Sequence, residues 1–186
     1  MSQDLNLKLI SFYKKSTIKK LIKIFGEDYV FPLPQVKAVG LSYNYEDRKL
    51  KTLFKKIPFK ETEQFYISPK QFLRIIRNLV YKGIKPHINM NIELPEEVKE
   101  SLSRIMHELL SERERAFMEI RDLDLKMYWN ALEDILDYLS EEYGADITAV
   151  SYYNGEERIS IQANGILFTD MNSISLTDEI LNFRGI

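Results

Sequence analysis

A chain of 186 residues with 45% hydrophobic and 29% charged residues has the composition of a folded globular protein of one domain or two small units. It has no cysteine, which excludes disulfides, thiolate metal sites and thiol nucleophiles, and no apolar run is long enough to span a bilayer. The net charge of −2 hides two opposed halves: residues 1–86 carry 18 Lys+Arg and 7 Asp+Glu, whereas residues 87–186 carry 8 and 21.

The first predicted element is an amphipathic helix over residues 3–25. Apolar residues such as Leu9, Tyr13, Ile18 and Phe25 recur there at mostly three- to five-residue steps, and Gly26 follows as a stop signal. On such a helix, four lysines at helical spacing would form one basic stripe: Lys8, Lys15, Lys19 and Lys23.

Two prolines in Phe31-Pro32-Leu33-Pro34 predict a rigid connector, because each proline removes a backbone donor and restricts the residue before it. After it, residues 36–45 alternate as a strand, Glu46-Asp47 forms a turn, and residues 48–57 return as a second strand. The expected structure is a basic β-hairpin, whose second strand carries Lys49, Lys51, Lys55 and Lys56.

A helix is predicted to begin at Ser68-Pro69-Lys70-Gln71, with Ser as N-cap and Pro at the first helical position, and to end at Gly83. Its apolar residues would face inward and leave Arg74 and Arg77 largely outward. A long acidic helical stretch follows over residues 95–143, with either one rod or a break near residues 122–124 and a second helix from about Leu125.

The C-terminal segment predicts a three-stranded antiparallel β-meander over residues 147–153, 156–163 and 166–169, because Asn154-Gly155 and Asn164-Gly165 are strong hairpin turns. A short final helix begins near Ser175 or Thr177. The fold class is therefore α+β. The predicted organisation is a basic unit (1–86), an acidic helical segment (87–145) and a C-terminal meander unit (146–186), which could pack as one domain.

The motifs that usually reveal an enzyme are missing from this sequence. Seven scattered glycines provide neither a phosphate-binding loop nor a dinucleotide fingerprint, and His107-Glu108 has Ser111 where a zinc protease helix needs histidine. Carboxylates at Asp122 and Asp124, or at Glu133 and its neighbours, are read as a helix cap and a solvated face rather than a metal site. The prediction is no cofactor, no metal and no catalytic residue.

The basic half favours a non-enzymatic interaction or adaptor protein that binds nucleic acid. Tyr43 and Tyr45 are candidates to stack on bases, but 22 aromatic residues in the chain favour core packing as their use. One alternative is an assembly subunit, a homo-oligomer or part of a complex, in which the basic and acidic halves pair. A second is an unrecognised metal-dependent enzyme. The order of a small β unit, a proline-started acidic helical stretch and a second β unit resembles GINS-type replisome subunits, which implies a nucleic-acid-associated adaptor. Composition also suggests a heat-adapted source and a cytoplasmic location.

Overall fold

The computed structural model describes residues 4–42, 48–119 and 125–183. It combines helices with antiparallel strand pairs, which is an α+β fold and confirms the predicted fold class. In chain order the elements are β1 (Asp4–Phe12), α1 (Ser16–Phe25), β2 (Val30–Leu33), β3 (Ala38–Ser42), α2 (Arg48–Phe54), β4 (Thr62–Gln64), α3 (Pro69–Tyr81), β5 (His87–Met90), α4 (Glu96–Glu119), α5 (Lys126–Tyr143), β6 (Ile147–Asn154), β7 (Glu157–Gln162), β8 (Ile166–Asp170) and α6 (Ile174–Ile180).

The chain contacts form two compact units. Unit 1 consists of residues 1–68 and 154–186, and unit 2 consists of residues 69–153. The division into segments 1–86, 87–145 and 146–186 stays a prediction. None of the helices in the described ranges combines the length and apolar content needed to cross a bilayer.

Unit 1 is built on antiparallel strands in the order β2, β3, β1, β8, β7, with β4 beside the second half of β1. The strand β1 is central because Leu5, Leu7 and Leu9 alternate with the more exposed Asn6 and Lys8. Its register pairs Leu9 with Gly40 on β3 and Leu7 with Leu167 on β8.

On one face of this sheet, α1 and α2 close an apolar cluster. Its buried members come from the strands, from α1 and from the turn after α2, and they are Ile10, Leu21, Phe25, Val30, Val39, Leu41 and Ile57. The rings of Phe25 and Phe54 meet edge to face with centroids 5.3 Å apart, which joins the end of α1 to the end of α2.

Unit 2 is built around α4, which packs against both α3 and α5. Phe72, Leu79, Leu109 and Leu132 are fully buried among these helices. The strands β5 and β6 pair antiparallel, with Ile88 opposite Val150. After β5, the side-chain amide of Asn91 donates to the carbonyl of Gly144 and accepts from the N–H of Asp146, which joins this end of β5 to the turn after α5.

The predicted helix over residues 3–25 is wrong in its first half. Residues 4–12 form β1, and the helix begins only at Ser16. The physical reason is long-range pairing: β1 has strand partners on both edges, and the alternation of Leu5, Leu7 and Leu9 buries one side chain per pleat. The prediction failed because Leu9 fits both the three- to four-residue period of a helix and the two-residue period of a strand.

The second strand of the predicted hairpin is also wrong, because residues 48–54 form α2. Leu53, Phe54 and Ile57 follow helical spacing and pack on the α1 side of the sheet. The first strand is confirmed in its middle by β3, whereas the predicted Glu46-Asp47 turn lies outside the described residues.

The stretch expected to be a connector forms β2 instead, with Pro32 opposite Val39 on β3. Proline is tolerated there because β2 lies at the edge of the sheet, where its missing N–H leaves no neighbour without a donor.

The remaining elements follow the prediction closely. The helix α3 begins at Pro69, and Gly83 follows it at φ 72°. Two helices, α4 and α5, pack against each other, so the single-rod alternative is wrong; the predicted break at residues 122–124 lies outside the described residues. The three C-terminal strands and the short final helix are confirmed.

Candidate nucleic-acid interface

The helix α1 presents lysines on its solvent side. Thr17, Leu21 and Phe25 are buried at four-residue spacing, which turns the opposite side of the helix outward. Three of the four lysines predicted as a stripe are exposed there at the same spacing, and they are Lys15, Lys19 and Lys23.

The fourth predicted stripe residue, Lys8, is not on this helix. It lies on β1, where its ammonium donates to the backbone oxygen of Asn164 and lies 5.9 Å from the centre of the Tyr66 ring. Burial lowers the pKa of the Lys8 ammonium below its ordinary value. Its role in the structure is therefore to join β1 to the turn between β7 and β8.

The helix α2 brings a second group of lysines to the same side of the sheet as α1. Lys49 and Lys51 are on α2, and Lys55 and Lys56 are in the turn that follows it; all four are exposed. The contact between Phe25 and Phe54 holds the two helices together. We call this surface the basic helical face, defined by Lys15, Lys19, Lys23, Lys49, Lys51, Lys55 and Lys56.

Further residues beside this face were missed by the sequence reasoning. Lys20 forms an ion pair with Glu61, and this hydrogen bond is the main cause that holds the pKa of the Glu61 carboxyl below its ordinary value. The hydroxyl of Thr17 also donates to Glu61, at 3.1 Å. The pairing neutralises one lysine at the rim of the face. The run Lys19-Lys20 indicates a basic position in the sequence, but no local pattern predicts that Lys20 contacts Glu61, which is 41 residues away.

Two strongly exposed aromatic rings lie next to these lysines. Tyr13, 67% exposed, precedes Lys14 and α1, and Phe59, 76% exposed, lies in the turn between Pro58 and Glu61. The backbone N–H of Tyr13 donates to the carbonyl of Glu61 at 3.2 Å, which places the two segments side by side. Tyr43 and Tyr45, which the sequence offered either for stacking on bases or for core packing, lie outside the described residues.

The hydroxyl of Tyr13 is held by a neighbouring carboxylate. It donates to Glu63 at 3.0 Å, and this hydrogen bond raises the pKa of the Tyr13 phenol above its ordinary value. The bond fixes the edge of the ring and leaves its face in solvent.

Arg74 and Arg77 belong to unit 2, whereas the basic helical face belongs to unit 1. The guanidinium carbon of Arg77 lies 5.2 Å from the centre of the Trp129 ring, and the side chain is half-buried. The prediction that Arg77 projects outward is therefore wrong. An aromatic residue more than 50 positions away on another helix covers it, and local spacing carries no signal for that contact.

The fold also changes how the opposed charges are distributed. Unit 1 carries 15 Lys+Arg and 12 Asp+Glu, and unit 2 carries 11 and 16, so the units differ far less than the two sequence halves. The basic character is concentrated in residues 14–60, which hold 12 Lys+Arg and 4 Asp+Glu. The excess of basic residues therefore belongs to the segment that carries the basic helical face and not to the whole of unit 1.

Within the described part of the chain, no three His, Asp or Glu side chains come together as a possible metal site. No protein-family model, no curated protein and no solved structure matches this chain.

Proposed function

We propose that this protein binds single-stranded nucleic acid through the basic helical face. The observation that carries the proposal is the joint placement of exposed lysines from α1 and α2 over one apolar cluster, with the exposed rings of Tyr13 and Phe59 at the α1 side. Neither the exposed lysines alone nor the exposed rings alone would indicate single-stranded nucleic acid. Their combination is the pattern of proteins that follow a phosphate backbone and stack its bases.

The charge supports a polyanionic partner. Neutral or weakly charged partners gain little from a surface with this excess of lysine, whereas each phosphate neutralised by a lysine releases condensed counterions. The lysines are exposed, so a polyanion can reach them from solvent.

The aromatic rings favour a single strand over a duplex. In a duplex the faces of the bases are stacked on each other and are not available to side chains, whereas an unpaired base can stack on tyrosine or phenylalanine. Rings as exposed as Tyr13 and Phe59 contribute little to folding, since most of their surface stays in water. Base stacking is a use that requires this exposure.

The test is fluorescence anisotropy of labelled single-stranded DNA and RNA, and of a duplex of equal length, over a salt series. If the face neutralises about six phosphates, the slope of log affinity against log salt should be about −4 for a single strand. The single strands should bind more tightly than the duplex. Absence of binding to every oligonucleotide at low salt would overturn the proposal.

Charge variants assign the binding to the face. Replacing Lys15, Lys19 and Lys23 together by Gln should reduce the salt slope by about two, because three phosphate contacts are lost. The matched control replaces three exposed basic residues of unit 2 by Gln: Lys85, Arg104 and Lys126. It removes the same charge and should leave the slope unchanged.

The main rival is assembly, in which the same face binds acidic helices of a second copy. Measuring mass in solution in parallel separates the two. Self-association would give a mass that rises with concentration and falls with salt, and Lys19→Glu would weaken the dimer without any oligonucleotide present.

A further inference from the structure

The face of the unit 1 sheet that carries α1 and α2 extends beyond these helices. Leu41 of β3 packs with the two helices in the apolar cluster, and Lys8 of β1 is directly opposite Leu41. Residues opposite each other on antiparallel strands share a face, so Lys8 and its partner on β8, Ile166, lie on this face as well. Phe168 follows two positions later and points to the same side, because side chains alternate along a strand. The face therefore continues from the helices across β1 onto β8.

Two aromatic rings are exposed on this part of the sheet. Phe168 is 38% exposed, although β8 is paired on one side with β1 and on the other with β7. Tyr66, in the segment after β4, is 62% exposed, and the ammonium of Lys8 lies 5.9 Å from the centre of its ring. This contact brings Tyr66 to the face that carries Phe168. A ring that stays in water adds little to the stability of the fold, and its exposed side is available to a ligand.

The side chains beside the rings can both donate and accept hydrogen bonds. Ser160 is directly opposite Phe168 on β7, Gln162 follows at the next position of the same face, and both are half-buried. Hydroxyl and amide groups match the edges of nucleobases, which combine donors with acceptors. A lipid or an apolar protein surface would leave these groups without partners. We call this surface the open sheet face, defined by Lys8, Tyr66, Ser160, Gln162 and Phe168.

Lys8 adds a positive charge to the open sheet face. It is diagonal to Phe168 across the pair of β1 and β8, and such diagonal positions are separated by about 7–8 Å. Its ammonium donates to the backbone oxygen of Asn164, which uses one of the three N–H bonds of an ammonium group. Lys8 can therefore keep its place in the fold and still donate to a phosphate next to the two rings.

The open sheet face adjoins the basic helical face, since both lie on the side of the sheet where α1 and α2 pack. We infer that the open sheet face is a second stacking platform, on which Tyr66 and Phe168 each stack an unpaired base of the strand bound by the basic helical face. Lys8 contacts a phosphate of the same strand. Sheets that stack two or three bases on exposed aromatic residues are a known architecture for binding single strands. The inference rests on the proposed function and adds where the bases lie.

Photochemical cross-linking tests the position of the bases directly. The full-length protein is mixed at low salt with single strands of about 16 nucleotides, the upper end of the site that one small module covers. Each strand carries 5-iodouracil at a different position. Irradiation joins the modified base to a ring on which it stacks, and mass spectrometry of the digested protein identifies that ring. We expect cross-links at Tyr66 or Phe168. Cross-links confined to Tyr13 and Phe59 would show that the bases do not reach the sheet.

Ring variants measure what the stacking contributes. Phe168→Val removes the ring but keeps a residue that favours strands, and Tyr66→Ser carries the test if that variant fails to fold. Loss of one stacked base should weaken binding by about fivefold or more and leave the salt slope unchanged, because no phosphate contact is removed. The matched control, Tyr138→Ser, removes a tyrosine with 53% exposure from unit 2 and should bind as the unmodified protein does. Equal losses in the two tyrosine variants would refute the platform.

The lysine of the platform has the opposite signature. Lys8→Gln keeps a donor for the backbone oxygen of Asn164 but removes the charge, so it should reduce the salt slope by about 0.7, the value for one phosphate contact with a single strand. Circular dichroism of each variant checks that the sheet is intact. A folded Lys8→Gln with an unchanged slope would contradict the phosphate contact.

The variant with Lys15, Lys19 and Lys23 replaced by Gln separates this inference from the proposed function. If that variant loses salt slope while the Tyr66 and Phe168 variants bind normally, the basic helical face is supported and the platform is wrong. If the ring variants weaken binding while the lysine variant does not, the platform is supported and the basic helical face is wrong. No binding of any single strand at low salt would refute both.

Discussion

Replacing Gly165 by alanine should destabilise unit 1 far more than an ordinary glycine-to-alanine change. Gly165 lies in the turn between β7 and β8 at φ 78°, and a Cβ there would stand 2.3 Å from the backbone oxygen of Phe65. The neighbour is main chain, so it cannot move away as a flexible side chain would. The segment around Phe65 would have to retreat by about 0.7 Å to reach even the closest tolerated contact.

The magnitude follows from three contributions. A left-handed conformation costs a non-glycine residue about 1–2 kcal/mol. The Phe65 segment is held to the strand end before the turn by the hydrogen bond from Ile67 N to Ala163 O at 2.9 Å, and the turn is held to β1 by that from Leu9 N to Gly165 O at 2.8 Å. Weakening these two bonds costs about 1 kcal/mol each. The expected loss in free energy of unfolding is therefore about 3 kcal/mol.

The assay is urea denaturation with linear extrapolation, and the chain offers a matched control in Gly155. That residue also has positive φ, 64°, but an added Cβ would have no atom within 4 Å. Gly155→Ala should cost only the conformational strain, about 1 kcal/mol. If the two variants lose the same free energy, the close approach to Phe65 is not a rigid feature and the reasoning fails.

Three further predictions concern other buried groups. Asp170→Ala should lower the free energy of unfolding by about 2–3 kcal/mol, because the carboxylate accepts from the N–H and hydroxyl of Ser173 in a buried turn; Asp170→Asn, measured by the same urea titration, should lose less. Burial raises the pKa of the Asp178 carboxyl, although the carboxyl accepts from the N–H of Gln35. The contribution of Asp178 to stability is therefore full below its unfolded pKa and is lost as pH rises through its folded pKa, so the free energy of unfolding of Asp178→Asn should rise relative to that of the unmodified protein as pH rises. Unfolding curves at several pH values measure this difference, and a difference that does not change with pH would contradict the prediction. Leu109→Ala should cost about 3 kcal/mol by thermal unfolding, since this side chain is fully buried in α4, and a loss below 1 kcal/mol would show that the site collapses around the cavity.

The sequence predicted best where local chemistry decides the structure. Ser68-Pro69 and Gly83 bracket α3, and Gly155 and Gly165 mark the turns that separate the C-terminal strands. These signals act within a few residues and depend little on the rest of the fold.

Prediction failed where a distant partner decides. Leu9 fits either a helix or a strand by spacing, and its burial in β1 depends on pairing with β3 and β8, the latter more than 150 residues away. Residues 48–54 were read as a strand because of the alternation before them, yet α2 forms because its apolar side chains find the cluster closed by α1. Long-range contacts of this kind leave no local trace.

The candidate sites divide in the same way. The lysines of the basic helical face could be expected at the surface from the sequence, because charged side chains stay exposed in almost any fold. The contact between Arg77 and Trp129 could not be predicted, since it joins α3 to the distant helix α5. Lys8 was placed on a helix because the pairing of β1 with β3 and β8 could not be predicted from local spacing.

The assembly of unit 1 from both ends of the described chain has a consequence for folding during synthesis. The central strand β1 is synthesised before its neighbour β8, and the whole of unit 2 lies between them in the chain. Until then residues 4–8 of β1 lack their strand partner at one edge, which invites pairing with other chains. Unit 2 is contiguous and can fold during this delay. We therefore expect a nascent chain stopped before residue 166 to need a chaperone that the full-length protein does not need.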